Sequence, residues 1–183
     1  MSTRDPLAEI LGDYKAFFKQ QQDRLGQSGI SIEGYSLSHF AFRTLTYPEY
    51  LEARDKLEAY ASVNHENVWN GRPISKILLK DPLQVGDGFE VPMIELIPPQ
   101  HQCLYRMGLE HTGVVIGEDV DEFCRTHRAV LTGQQFQTLD LEPYFVRFGD
   151  YTNVKFYRQS LHATCVAEGR DFTGFFHVEH WHG

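Results

Sequence analysis

Two stretches decide how this chain folds: Leu37-Ser38-His39-Phe40-Ala41-Phe42-Arg43-Thr44 and Glu110-His111-Thr112-Gly113-Val114-Val115-Ile116. Both alternate with the period of two that a β-strand imposes on its side chains. In the first, Leu37, His39, Ala41 and Arg43 share one face and Phe40 and Phe42 the other, so the strand has a chemical face and an apolar face. In the second, His111, Gly113 and Val115 oppose Thr112, Val114 and Ile116. Each strand opens a unit of the same pattern.

After the first strand, Pro48 starts a helix through TYPEYLEARDKLEAYAS (residues 46–62), with Tyr50, Leu51, Leu57 and Tyr60 as its apolar stripe. The turn residues Asn70-Gly71-Arg72-Pro73 follow, then strands at Ile74–Lys80 and Phe89–Ile97, joined through Asp81-Pro82 and Gly86-Asp87-Gly88. Pro98-Pro99 closes the half, since neither residue extends a paired strand. After the second strand comes a helix from about Glu118 to Leu131, ended by Gly133, and short strands at Phe136–Leu141, Tyr144–Phe148 and Asn153–Tyr157. The repeat is one of pattern rather than identity: strand, helix and further strands occur twice, and both units are taken as βαβββ in type.

Working outward, Asp5 and Pro6 open a helix over residues 5–27 that carries Leu7, Ile10, Leu11, Tyr14, Phe17, Phe18 and Leu25 at helical spacing. The expected fold is α+β: two successive βαβββ-type modules, about 31–99 and 109–160, in a single domain, preceded by the extra helix. The aromatic, histidine-rich stretch 161–183 fits neither module. It is expected to cap the sheet or to fold over a neighbour.

The 183 residues include 17 Lys+Arg against 25 Asp+Glu, a formal charge of −8. That balance argues against a nucleic-acid partner, whose affinity rests on basic residues meeting phosphates, and against a polybasic membrane mode. Cys103, Cys124 and Cys165 have neither redox-pair nor zinc-finger spacing, and no apolar run approaches the ~18 residues of a membrane span. A soluble, cytoplasmic chain is the expectation.

Divalent metals in enzymes are commonly held by imidazoles and a carboxylate, with positions left open for water or substrate. His39 and His111 stand near the start of each unit, and Glu95 lies in the last strand of the first, beside apolar Met93 and Ile97 that cannot satisfy a buried carboxylate. The alternative partner for Glu95 is Arg43 or Lys155 in an ion pair. Arg43 lies about 13 Å beyond His39 along the strand, where it lines the cavity or pairs with a carboxylate of the sheet. Arg72, at the edge of the Asn70-Gly71 turn, guards the cavity mouth and binds a carboxylate or phosphate, or is only a strand entry. His177, His180 and His182 form an H-x-x-H-x-H cluster able to chelate a metal by accident.

SHFAFR, ENVWNGRPI (66–74), LLKDPLQV (78–85), MIELIPP and LEHTGVVIG together resemble the YecM-like family of the vicinal-oxygen-chelate superfamily, which includes glyoxalases, bleomycin-resistance proteins and extradiol dioxygenases. The resemblance covers about residues 5–160 and is most specific between His39 and Gly117. It implies paired βαβββ modules forming a curled mixed sheet around a metal or ligand cavity, with ligands at His39, Glu95 and His111. Many superfamily members add a fourth ligand on the last strand, where Lys155 corresponds in this chain. A charged lysine cannot coordinate a cation, which departs from the four-ligand pattern.

The function expected from this set is that of a divalent-metal protein (zinc, nickel, manganese or iron) acting as an isomerase, lyase or oxygenase on a small anionic oxygenated compound, with Arg43, Arg72 and Lys155 as substrate-binding residues. The alternative is a metal-free protein of the same fold that binds or sequesters a small molecule. The sequence leaves open whether the modules close the cavity within one chain or across a homodimer.

Overall fold

The computed structural model describes residues 5–100, 104–135, 141–169 and 171–178. Its centre is a mixed, curled sheet of nine strands in the order β6-β7-β8-β5-β1-β4-β3-β2-β9. In the first half, β1 (Ser36–Arg43), β2 (Ala61–Trp69), β3 (Arg72–Gly86) and β4 (Phe89–Ile97) run β2-β3-β4-β1, with β1 parallel to β4. The second half, β5 (Gly108–Val115), β6 (Gly133–Gln134), β7 (Tyr144–Arg147) and β8 (Asn153–Tyr157), runs β6-β7-β8-β5, with β5 parallel to β8. The halves join where β1 and β5 pair antiparallel, so the two histidine-bearing strands are neighbours at the middle of the sheet.

The expected N-terminal helix is two helices. Asp5 caps α1 (Pro6–Leu11) by accepting from the Leu7 and Ala8 amides; Gly12 then ends it with a φ of 80°, a conformation that costs only glycine little. Asp13 accepts from the Ala16 amide and starts α2 (Tyr14–Gln27) in a new direction. Thr46 caps α3 (Tyr47–Glu58), which stops short of the predicted Ser62 because Ala61 and Ser62 already belong to β2. That strand was absent from the sequence reading. It forms a hairpin with β3 through Asn70 (φ 49°) and Gly71 (φ 75°), the two positive φ angles of a tight hairpin turn.

In the second half, α4 (Val120–Thr126) is shorter than expected, and Gly133 does not end it. The chain leaves the helix near His127, the Thr132 amide reaches the Phe145 carbonyl, and Gly133 enters β6. A side chain at Gly133 would stand 3.2 Å from the Phe145 ring. The expected strand at 136–141 lies mostly outside the described residues. The stretch after residue 160 is not simply a tail: Ser160 caps α5 (Leu161–Ala167), and β9 (Gly174–Phe176) adds a parallel edge strand to β2. His177 accompanies it, its Nε2 at 2.5 Å from a Glu58 carboxylate oxygen; His180 and His182 lie outside the described residues.

Helices α1 to α4 pack on one face of the sheet. Phe18 and Leu25 of α2, Tyr50 and Leu57 of α3 and Phe123 of α4 join Phe40, Ile94, Val114 and Phe156 of the strands in one apolar core. On the opposite face Leu161 and Cys165 of α5 cover Met93 and Val63, a small apolar group of Ala41, Ile74 and Ile97 lies beyond, and most of the titratable side chains that line the cavity stand on the same face. No helix among the described residues is long and apolar enough to cross a membrane.

Two irregularities in the central pairing decide what reaches the polar face. Leu37 pairs with Val114 but His39 with Gly113, so Ser38 and His39 stand against one residue of β5. This bulge corrects the expected alternation: Leu37 turns into the main core with Phe40 instead of sharing the face of His39. Likewise Ala41 pairs with His111 and Phe42 with Leu109, which leaves Glu110 as an extra residue on β5. Consecutive residues Glu110 and His111 therefore both face the cavity.

Candidate metal centre

His39, Glu95 and His111 converge on the polar face from β1, β4 and β5 of one chain. Nε2 of His39 lies 3.2 Å from Nε2 of His111, and Oε2 of Glu95 lies 3.8 Å from the first and 3.5 Å from the second. A point equidistant from three atoms so spaced is about 2 Å from each, the bond length of a divalent ion to imidazole nitrogen and carboxylate oxygen. The donor set, two imidazoles and a carboxylate, fits such an ion and leaves positions open on the cavity side.

Each imidazole is held from behind. His111 Nδ1 donates to Glu110 Oε1 at 3.2 Å, which leaves the lone pair on Nε2, facing Glu95. Glu110 in turn accepts from Arg43 Nε, and Arg43 also donates to the Pro98 carbonyl at 3.2 Å and lies over the Tyr105 ring at 3.8 Å. His39 Nδ1 lies 2.8 Å from Ser38 Oγ, which accepts the Leu161 amide at 2.7 Å and so ties the ring to the start of α5. The other side of His39 rests on Gly113, where a Cβ would come within 2.6 Å of the ring, and on Tyr157, 5.5 Å between centroids.

Burial sets the protonation states. It drives the His39 imidazole down to about 3 and that of His111 below its ordinary value, so both are neutral, as a metal ligand must be. Burial alone would raise the Glu95 carboxyl. Against that, the pull of the His39 and His111 rings, in the states where one carries a proton, and of the Lys155 and Lys76 ammonium groups holds the carboxyl below its ordinary value. For Glu110, burial is overcome by the hydrogen bond from His111 and by Arg43, which hold it at about 2.

The centre opens into a cavity of about 640 Å³ whose lining includes Arg43, Arg72, Glu95, Glu110, His111, Arg147 and Lys155. All three basic residues singled out in the sequence thus border one space, in different states. Arg43 is engaged with Glu110 rather than Glu95. Arg72 is the first residue of β3, at the edge of the Asn70-Gly71 turn as expected, but it is buried, 7% exposed. Lys155 donates to Gln135 Oε1 at 3.1 Å. Strand register gives its place: Ala41, two residues after His39, pairs with Glu95, and Gly113, two residues after His111, pairs with Lys155. Lys155 is therefore the mate of Glu95 in the second half.

Sequence reasoning missed Glu110, Arg147, Ser38 and the role of Gly113. Strict alternation sends Glu110 to the core face; the one hint was an adjacent Glu-His pair following Gly108 on a strand. Arg147 carries no pattern of its own, and only the pairing of β7 with β8, Arg147 against Asn153, brings it to the cavity.

The model for the family described as YecM protein matches residues 6–162 of the chain. No curated protein matches it in sequence. Among solved structures, the one titled protein EC4020, from structural genomics, is 24% identical, with a TM-score of 0.73 over 90% of this chain and 93% of that one. At that identity the likeness is one of fold. Methylmalonyl-CoA epimerase from Mycobacterium tuberculosis is 17% identical over 71% of this chain and 91% of that one, TM-score 0.45. The fosfomycin resistance protein FosX from Listeria monocytogenes, in a complex with Mn(II) and sulfate, is 12% identical over 73% and 97%, TM-score 0.28. With a family model matched from the first helix to the start of α5, this chain belongs to the YecM family.

Proposed function

We propose that this protein binds one divalent cation (zinc, nickel, manganese or iron) through His39, Glu95 and His111 and acts as an isomerase, lyase or oxygenase on a small anionic oxygenated compound. The observation that carries the reading is the convergence of three neutral or acidic ligand atoms, spaced for one ion, at the base of a cavity. A bound cation supplies Lewis-acid polarisation of substrate oxygens or, if redox-active, electron transfer. The chain's own residues supply the rest. Glu110 holds the proton on Nδ1 of His111, Gly113 makes room for the His39 ring, and Ile74 and Ile97 exclude water from one wall. Lys155, in the place of a fourth ligand, faces the substrate as a cation.

A second reading, a metal-free binding or sequestration protein, is favoured by that lysine and by the 3.2 Å contact between the two Nε2 atoms, in which one ring donates to the other without an ion. Elemental analysis of protein never exposed to a nickel column separates the two. About one ion per chain in the wild type, lost in His39→Ala, His111→Ala and Glu95→Ala, is the expected result. Occupancy unchanged by all three places the ion elsewhere and refutes this ligand set, and no uptake after equilibration with each of the four cations transfers the assignment to the metal-free reading.

A further inference from the structure

The cavity holds more positive charge than its own carboxylates neutralise. Among the described residues four basic side chains line it, Arg43, Arg72, Arg147 and Lys155, against two carboxylates, Glu95 and Glu110. Arg43 is paired with Glu110, and Glu95 faces the two imidazoles. Among the described residues the other three cations hydrogen-bond to neutral groups, Arg147 Nε to Asn153 Oδ1 at 3.3 Å, Lys155 Nζ to Gln135 Oε1 at 3.1 Å, and Arg72 to the Tyr105 hydroxyl, while Glu95 and Glu110 act on Lys155 through space. Nε of Arg72 is buried and has no partner among the described residues, although the side chain is more than nine-tenths buried. That N–H borders the cavity and is a donor left open to whatever enters it.

Supply does not explain the shortage of acceptors. The chain has 25 Asp+Glu for 17 Lys+Arg. Nor are the cations distant from one another. Burial first, and then the neighbouring Arg43, lowers the Arg72 guanidinium, while burial, Arg43 and Arg147 outweigh Glu95 and Glu110 at the Lys155 ammonium. Mutual repulsion in a shielded space favours any anion that enters it.

We propose that Arg72, Arg147 and Lys155 form an anion subsite apart from the three converging ligand atoms, so that the ligand carries an acidic group, carboxylate or phosphate, in addition to the oxygens at the candidate metal centre. This deepens the enzymatic reading, on which its second half rests. The subsite belongs to the second half of the sheet and to the Arg72 end of β3, and Arg43 is excluded from it by its bond to Glu110. Arg147 is drawn back over Asn153, which pairs with His111, so its guanidinium stands about one strand spacing, roughly 5 Å, from the strand of His111.

The test uses the full chain, metal-stripped and metal-loaded, titrated calorimetrically with inorganic phosphate, with succinate and with butyrate at low and high salt. The expected result is saturable binding of phosphate or succinate, one per chain, tighter than butyrate and weakened by salt. It falls at least 10-fold in Arg147→Met, a substitution on the exposed rim, and in Arg72→Met or Lys155→Met. Arg125→Met, outside the cavity, leaves it unchanged. Phosphate and succinate distinguish the two acids. No saturable binding of either anion in both forms, or binding indifferent to Arg147→Met and Lys155→Met, overturns the subsite. Metal uptake is measured on the same samples, so a chain that takes metal without anion, or anion without metal, shows which reading has failed.

Discussion

Gly113→Ala is the substitution that bears most sharply on the centre, because it adds one methyl group to a strand and removes no functional atom. The new Cβ would stand 2.6 Å from His39 Cε1, 2.8 Å from Nδ1 and 3.2 Å from the Tyr157 ring. Carbon atoms rest at about 3.5–4.0 Å, so the imidazole must retreat by about 1 Å. Its retreat is blocked by the bond from Nδ1 to Ser38 Oγ, itself tied to the Leu161 amide. Either that bond breaks or β1 shifts, and overpacking of this kind costs about 1–3 kcal/mol. Metal ligation tolerates about 0.2 Å, so a shift five times larger takes Nε2 out of the set. The variant should be less stable in urea by about 1–3 kcal/mol without metal. Its affinity for the ion in equilibrium dialysis should fall by at least about 100-fold, the upper end of what loss of a supporting contact causes. Wild-type affinity in a folded Gly113→Ala protein would refute the placement of His39 in the centre.

Three further outcomes follow from other parts of the structure. Glu110→Gln keeps the shape but weakens the acceptor behind His111, and metal affinity should drop about 10–100-fold in dialysis while Arg43 loses its carboxylate partner. Gly26→Ala, exposed near the end of α2 with nothing within 4 Å of the added carbon, should raise stability to denaturant by about 0.5–1 kcal/mol. Asp150 accepts from Thr152 and from Arg24; burial raises its carboxyl, but these bonds outweigh it and hold the group below its ordinary 3.8. Its contribution is therefore present above that pH and lost as the pH falls through the lowered value. Asp150→Asn should cost about 1 kcal/mol near neutrality, and the gap to wild type should close below about pH 3.8; a gap constant down to pH 2 would contradict the assignment.

The strands that carry His39, Glu95 and His111 were legible because alternation is a local property: Phe40 and Phe42, or Val114 and Ile116, announce an apolar face whatever the rest of the chain does. Asn153–Tyr157 was read to the residue for the same reason. Helix ends were less so. Nothing in the apolar spacing of residues 5–27 marks the break at Gly12-Asp13, since both short helices present their stripes to the same core. The strand Ala61–Trp69 escaped because Asn64, His65, Glu66 and Asn67 blur its alternation, and the partners that meet them, such as Tyr50 on Glu66 and Lys76 on Asn67, come from other elements.

By itself, then, the sequence determined the α+β pattern, the doubling of a strand-opened unit, and the residue types that meet at its centre. Tertiary structure alone decided which neighbours those residues keep. Two bulges in the β1–β5 pairing turn Leu37 into the core and put Glu110 beside His111 on the polar face, and the pairing of β7 with β8 delivers Arg147 to the cavity. A bulge arises from the fit between two strands 70 residues apart rather than from the propensity of either, so no reading of one strand at a time reveals it.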